Sequence, residues 1–431
     1  MQKKTYEGIG ECIFEDTLEN GLRLRVVPKK GFSSFYAAIA ADYGGAHRRF
    51  ETGGKMLDTP AGVAHFLEHK MFDLPNGDNA LNLLSANGAD PNAFTSSDMT
   101  CYYFQCTRGF EENLRMLLHV VSTPYFTKET VQKEQGIIAQ EIRMCEDNPG
   151  IAIYYDLLKL LYAHHPVRDQ VAGTVESIAD ITAETLYDCH RVFYAPSNMV
   201  LCVEGDVDPE RIAAIAREEL PKERSAVPHA DFGEDEGLMP AEREHTSEMA
   251  VSAPQFLFGA KLEQRDGDVL RRRLTAQLSL RLLLGSSSPF YTRLYADGTL
   301  SHDFDYETDY SAGTATVIIG GESREPEKVL RELNAEVASV RENGLDEERF
   351  QRAKRASLGA HLRGLEDFES VCLSVVSGVF DGYEAFDAVS MLDAVEKREC
   401  EEFIVRNLAP ERIAVSIVTP KKERAYVPDT F

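Results

Sequence analysis

No run in the sequence approaches the ~18 consecutive apolar residues that a membrane-spanning helix needs. That absence excludes a helical membrane protein and implies a soluble chain. Basic residues are in deficit: Lys and Arg total 46 against 71 for Asp and Glu, a formal balance of −25. A field of that sign repels phosphate backbones and anionic lipid headgroups, so nucleic acid and membrane are excluded as expected partners. Paired cysteines are also missing. The eight cysteines, at 12, 101, 106, 145, 189, 202, 372 and 400, never fall as C-x-x-C and are too sparse for a disulfide scaffold. They read as reduced, mostly buried small hydrophobes. The two lysines near the N-terminus are followed by no apolar stretch, so no secretory signal is read and the expected location is cytoplasmic.

What is present is globular. The 431 residues are 43% hydrophobic and 27% charged, and about 150 residues per domain suggests two to four units. Residues 11–43 alternate short apolar runs around Asn20-Gly21, the pattern of a β-hairpin. Apolar spacing turns helical from Thr59 to Met71; 101–106 reads as strand, 111–122 and 127–146 as helices, and 199–205 as a closing strand. Residues 221–252 are rich in charge, Pro and Gly, without apolar periodicity, and read as a connection between domains. The same grammar then returns: an apolar run near 255–260, helices at 268–284, 325–342 and 346–362, and strand-like segments within 303–320. The expected fold class is therefore α+β, in two halves: 1–225, a linker 226–252, and 253–431.

Residues 126–141 align without gaps over 345–360, both beginning as a capped helix. Glu134 and Glu141 then stand opposite Ala353 and Ala360. If the halves repeat, acidic residues were kept in the first only, which locates a site there.

The chemistry-bearing stretch is P-A-G-V-A-H-F-L-E-H-K-M-F at 60–72. His65 and His69, four apart, project from one helix face at a separation that can hold one zinc ion, and Glu68 lies on the same side. This is the inverted zincin arrangement H-x-x-E-H, in which the carboxylate beside the metal takes a proton from water. Uncompensated polar side chains in so apolar a segment would be costly to bury, which argues against an idle surface. A third protein ligand is required from elsewhere. Glu134 and Glu141 share a helix face over two turns, and spacing alone leaves Glu134, Glu141 and Glu146 all open for that role.

G-V-A-H-F-L-E-H-K-M-F, with E-Q-G-I-I-A-Q-E-I-R-M-C-E-D-N-P beginning 65 residues after His69, resembles the insulinase and pitrilysin (M16) family of zinc metallopeptidases. N-A-F-T-S-S-D-M-T-C-Y-Y-F at 92–104 and F-Y-A-P-S-N-M-V-L-C-V-E-G-D-V at 193–207 extend the resemblance over nearly the whole chain. The wording is most similar to the bacterial half-length subfamily that includes the processing peptidases. The resemblance implies that His65, His69 and Glu141 bind Zn2+, that Glu68 is the catalytic base and that Glu134 supports the site. It further implies that Asn92, Ala93 and Phe94 pair with substrate backbone by strand addition. Fold and assembly are implied too: α/β-sandwich halves forming one wall of a clamshell, which a second copy or a paralogous subunit completes around peptide substrates.

One stretch departs from the family pattern. Active members use an Arg and a Tyr from a second-half segment to steady substrate and oxyanion; the matching stretch here, 290–304, has Tyr295 and His302 at those positions, with Arg293 out of register. The expected function is a zinc-dependent endopeptidase acting on unfolded peptides inside a dimeric chamber. The alternatives are a metal-binding subunit that needs a paralogous partner for its Arg and Tyr, a non-catalytic assembly subunit, or a maturation protease for one ribosomally made peptide. Smaller features read blandly: His164-His165 as a solvated pair, Ser286–Ser288 as a turn and helix cap, and Glu234–Glu236 as a charge run.

Overall fold

The computed structural model describes residues 1–263 and 268–421; residues 264–267 and 422–431, both inside the expected second half, lie outside the described residues. The first half begins with strands β1 (Gln2–Tyr6), β2 (Glu11–Thr17), β3 (Arg23–Pro28) and β4 (Phe35–Ala41), then a small outlying hairpin of β5 (Arg49–Thr52) and β6 (Lys55–Asp58). It continues with β7 (Ala89–Thr95), β8 (Thr100–Cys106) and β9 (Met199–Gly205), giving a seven-stranded sheet in the order β1-β2-β3-β9-β4-β8-β7. β2 and β3 are the expected hairpin, turned at Asn20-Gly21, where Gly21 has φ 92°.

β10 (His229–Ala230) pairs with β5. The second sheet runs β11-β15-β12-β14-β13, from β11 (Glu244–Met249), β12 (Gln255–Lys261), β13 (Asp305–Asp309), β14 (Thr316–Glu322) and β15 (Ala414–Pro420). It repeats the order β3-β9-β4-β8-β7 of the first sheet. The only parallel pairs among the described strands, β3 with β9 and β11 with β15, fall at equivalent places. The 226–252 segment is thus not bare connection, since it holds β10 and β11.

Helices α1 (Val63–Met71), α2 (Ala80–Ala86), α3 (Phe110–Ser122), α4 (Lys128–Glu146), α5 (Pro149–Leu161), α6 (Val175–Ala179), α7 (Ala183–Phe193) and α8 (Pro209–Glu219) belong to the first half. The second has α9 (Val269–Leu284), α10 (Pro289–Ala296), α11 (Pro326–Asn343), α12 (Glu347–Gly364), α13 (Phe368–Asp381), α14 (Ala388–Ala394) and α15 (Lys397–Asn407). The helix expected from Thr59 starts only at Val63. Gly62 before it has φ 96°, and a Cβ there would lie 2.5 Å from the Ala172 carbonyl oxygen, so the turn into α1 requires glycine.

Central strands are buried on both faces, which is why β4 reads as the unbroken apolar run F-Y-A-A-I-A-A. Its alternation sends Ala37, Ile39 and Ala41 into the main core with α1, α3, α4 and α7, and Tyr36, Ala38 and Ala40 into a second core. That second core is closed by Phe368, Val371, Cys372 and Val375 of α13, a helix of the other half. The exchange is reciprocal: Leu157 and Leu161 of α5 pack on Ile318 and Ala414 of the second sheet. Gly259 makes that approach possible, since a Cβ there would stand 2.9 Å from the Leu157 methyl groups. Each half therefore lends one helix to cover the other's sheet.

Candidate metal centre

α1 presents His65, Glu68 and His69 on one face, and α4 packs against it. Thr127 caps the N-terminus of α4, its side chain accepting from the Thr130 N–H and its own N–H donating to the Thr130 hydroxyl. Val131, Ile138 and Ile142 on the buried face of α4 set its rotation. That rotation brings two of the three candidate carboxylates to the imidazoles. Glu141 lies between both rings, its Oε1 3.4 Å from His65 Nε2 and its Oε2 3.5 Å from His69 Nε2. Glu134 Oε1 lies 3.0 Å from His69 Nδ1. Glu146, the last residue of α4, is exposed and shares no contact with the rings.

One ligand atom each of His65, His69 and Glu141 fall within 4.8 Å of one another. Two imidazole nitrogens and a carboxylate are a donor set that suits zinc, and arms of about 2.0–2.1 Å at tetrahedral angles place donors about 3.3 Å apart, close to the separations seen. Glu134 fixes the second ring from behind, the carboxylate–histidine pairing common at metal sites. His65 has no such support, because its Nδ1 is buried without a hydrogen-bond partner.

The charges interact strongly. Burial opposes a charged His69, but the Glu134 contact and the charges of Glu141, Glu134 and Glu68 outweigh it and hold its pKa above the usual histidine value. Burial pushes Glu134 upward, yet its hydrogen bond with His69 prevails and leaves it below the ordinary carboxylate value. The contact with His65 holds Glu141 low as well.

Glu68 points toward β7 instead. Its Oε2 accepts a 2.6 Å hydrogen bond from Thr95 Oγ1, and Thr95 lies 3.4 Å from the Thr100 hydroxyl on β8. Sequence reasoning did not single out Thr95, although it closes the N-A-F-T stretch. The signal was its alternation: Ala93 and Thr95 face α1, while Phe94 turns to the opposite sheet face beside Tyr103. Asn92, Ala93 and Phe94 lie on β7, which pairs with β8 on one side only and ends the sheet order.

The second-half stretch lies apart. Arg293 of α10 is engaged by Glu332 at 2.9 Å and Glu336 at 3.8 Å on α11, Tyr295 is 51% exposed and stacks on Tyr291, and His302 lies in the loop after α10. Ser288 caps α10 as the serine run suggests. The 234–236 charge run does more than solvate: Glu236 accepts from the backbone N–H groups of Ala163, His164 and His165, so it organises the loop that carries the histidine pair.

The chain is similar to known proteins over nearly its whole length. Residues 52–175 match the family Insulinase (Peptidase family M16), and 180–357 match the Peptidase M16 inactive domain. The chain is 35% identical to an uncharacterized zinc protease of Bacillus subtilis, YmfH, over 96% of this chain and 98% of that one. A crystal structure described as that of an M16-like peptidase from Alicyclobacillus acidocaldarius superposes with a TM-score of 0.90 at 32% identity, covering 95% of this chain and 99% of that one. The ferredoxin protease FusC, solved as a mutant in complex with Arabidopsis ferredoxin, shares the fold with a TM-score of 0.69 at 19% identity; the match takes in 95% of this chain but 48% of that protein. With its two halves matched in order and near-complete coverage of a relative above 30% identity, the chain belongs to peptidase family M16, the insulinase family.

Proposed function

We propose that this chain is a zinc-dependent endopeptidase acting on unfolded peptides, with His65, His69 and Glu141 holding Zn2+. The observation that carries the reading is the three-donor cluster with Glu134 seated on His69 Nδ1. Zinc bound there would supply Lewis acidity, polarising the scissile carbonyl and lowering the pKa of the attacking water toward ~7. The remaining work falls to this chain's own residues. Glu68 removes the proton of the attacking water at its carboxylate and returns it to the leaving amine. Thr95 Oγ1, donating to Glu68 Oε2, occupies one lone pair and aims the other oxygen. The open edge of β7 at Asn92, Ala93 and Phe94 holds the peptide extended by backbone pairing.

The same reading divides the chain into a metal-bearing 1–225, a connection 226–252 and a second half 253–431 without metal. Since the chain spans about half of FusC, two chains would enclose the chamber. Arg293 is held by Glu332 and Glu336, which favours a second reading: the Arg and Tyr that steady substrate come from a paralogous partner, and this chain alone is incomplete. The cytoplasmic assignment stays part of the proposal, supported by cysteines that are all unpaired. No helix among the described residues is long and apolar enough to cross a membrane.

The test is hydrolysis of a mixed unstructured-peptide pool by the purified chain, read by mass spectrometry with and without chelator, beside Glu68→Gln. Chelator-sensitive cleavage absent from the variant supports a self-sufficient peptidase. Zinc-loaded but inactive protein supports the two-subunit reading, and cleavage that survives Glu68→Gln removes Glu68 as base.

A further inference from the structure

The second half repeats the setting of the metal centre with the charge reversed. α9 packs against α12 and β13 as α1 packs against α4 and β7. On β13, Tyr306 and Thr308 lie on the face toward α9, the counterpart of the β7 face that carries Ala93 and Thr95. On α12, Ala353 and Ala360 take the places of Glu134 and Glu141. In the space so vacated lies a cavity of about 630 Å3, with Ala360 on its wall.

Arg273, Gln277 and Arg281 recur every four residues along one face of α9 and line this cavity, joined by His361 of α12. Arg273 is already committed, to Asp381 at 2.7 Å and the Tyr383 hydroxyl at 3.2 Å. Arg281 is exposed, and no carboxylate pairs with it among the described residues. The half-buried Tyr306 on the cavity wall is an electrostatic neighbour of Arg281, and its hydroxyl is uncharged at neutral pH. Leu365, Ala388 and Val389, each half-buried, give the cavity an apolar lining. A volume of this order is that of a small-ligand site. The combination of one free guanidinium and an apolar wall selects an occupant with a single carboxylate beside an apolar group. A dianionic phosphate would find neither a second free cation nor a use for the apolar lining. In a chain whose formal balance is −25, an unpaired arginine in a cavity is also a local exception to the prevailing field.

We propose that this cavity binds the C-terminal end of a peptide, its α-carboxylate bidentate on Arg281 and its last, apolar side chain against Leu365 and Val389. The choice of a peptide as occupant rests on the peptidase reading; the choice of a carboxylate rests on the cavity alone. The second half then acts as an anchor that reads a free C-terminus, in the place where the first half holds its metal.

The experiment is fluorescence anisotropy with an N-terminally labelled unstructured peptide ending in leucine, as free acid and as C-terminal amide, on full-length Glu68→Gln protein so that the peptide survives. The acid should bind about ten-fold tighter than the amide, equivalent to ~1.4 kcal/mol, with and without chelator. Arg281→Gln should remove the difference. So should Ala360→Glu, which restores a carboxylate at the repeat position and repels the ligand. Equal binding of acid and amide, a preference that survives both variants, or a preference abolished by chelator, which would place the carboxylate on the metal, each overturns the proposal. Wild-type hydrolysis measured in parallel separates the two readings: acid preference without any hydrolysis would remove the self-sufficient peptidase and leave the carboxylate site standing.

Discussion

Glu134 lies 3.0 Å from Nδ1 of His69, which leaves Nε2 of the same ring facing Glu141 at 3.5 Å. A carboxylate in that position makes Nδ1 the donor and so fixes the tautomer whose Nε2 lone pair is free for a metal. Its removal should weaken zinc without unfolding the chain. Glu134→Ala is expected to raise the zinc Kd about 10–100-fold, measured by competition with a fluorescent chelator. Glu141→Gln, which alters a proposed ligand, should cost more. If Glu134→Ala strips the metal and Glu141→Gln does not, the two roles are reversed.

Thr95 donates to Glu68 at 2.6 Å, and hydrogen bonds to charged groups contribute about 1.5–3 kcal/mol. Thr95→Val keeps the shape of the side chain and deletes the donor. It should lower kcat roughly ten-fold or more, leaving KM and zinc content near wild type. A loss confined to KM would mean that Thr95 serves the β7 edge and not the base.

Glu204 on β9 faces the core shared with α13 and is fully buried, with Lys29 Nζ 3.5 Å from its Oε1. Burial raises its pKa from 4.5 to about 8, with Lys29 opposing only in part. The folded protein thus holds a proton on Glu204 that the unfolded chain releases above pH 4.5. Stability from this group is present at low pH and declines as pH rises from about 4.5 to about 8. Glu204→Gln should flatten that slope in denaturant titrations at pH 5 and 8. An unchanged slope would show that some other group carries the dependence.

The exchange of α5 and α13 couples the halves. Leu157, fully buried and packed on the second sheet, belongs to the first half by sequence. Leu157→Ala should destabilise by about 2–5 kcal/mol and do so in one transition, seen alike by probes in either half. Expression of 1–225 alone should give an aggregating fragment, because the Tyr36, Ala38 and Ala40 face of β4 loses its cover. Two separate melting transitions would show that the shared cores do not bind the halves together.

Short-range features were legible before any tertiary structure. The Asn20-Gly21 turn, the boundaries of β9 and α4, and the shared face of His65 and His69 all follow from periodicities of two or 3.6 residues, which the backbone imposes locally. The alignment of 126–141 with 345–360 likewise corresponds to the equivalent helices α4 and α12. α5 and α13 escaped notice as partners of the opposite sheets because amphipathicity names a buried face without naming what buries it.

The choice among Glu134, Glu141 and Glu146 lay beyond the sequence for a related reason. Five residues past Glu141, Glu146 is turned about 140° around the helix, but which of the other two meets which imidazole nitrogen depends on how α4 docks against α1. Val131, Ile138 and Ile142 decide that through long-range packing. The pairing of Thr95 with Glu68 and the tying of Arg293 to α11 are of the same kind, contacts across 27 and 39 residues. Sequence by itself determined the chemical inventory and the helix that displays it. Tertiary structure decided which carboxylate reaches which ring, because rotation and docking of whole elements are set by the core they share.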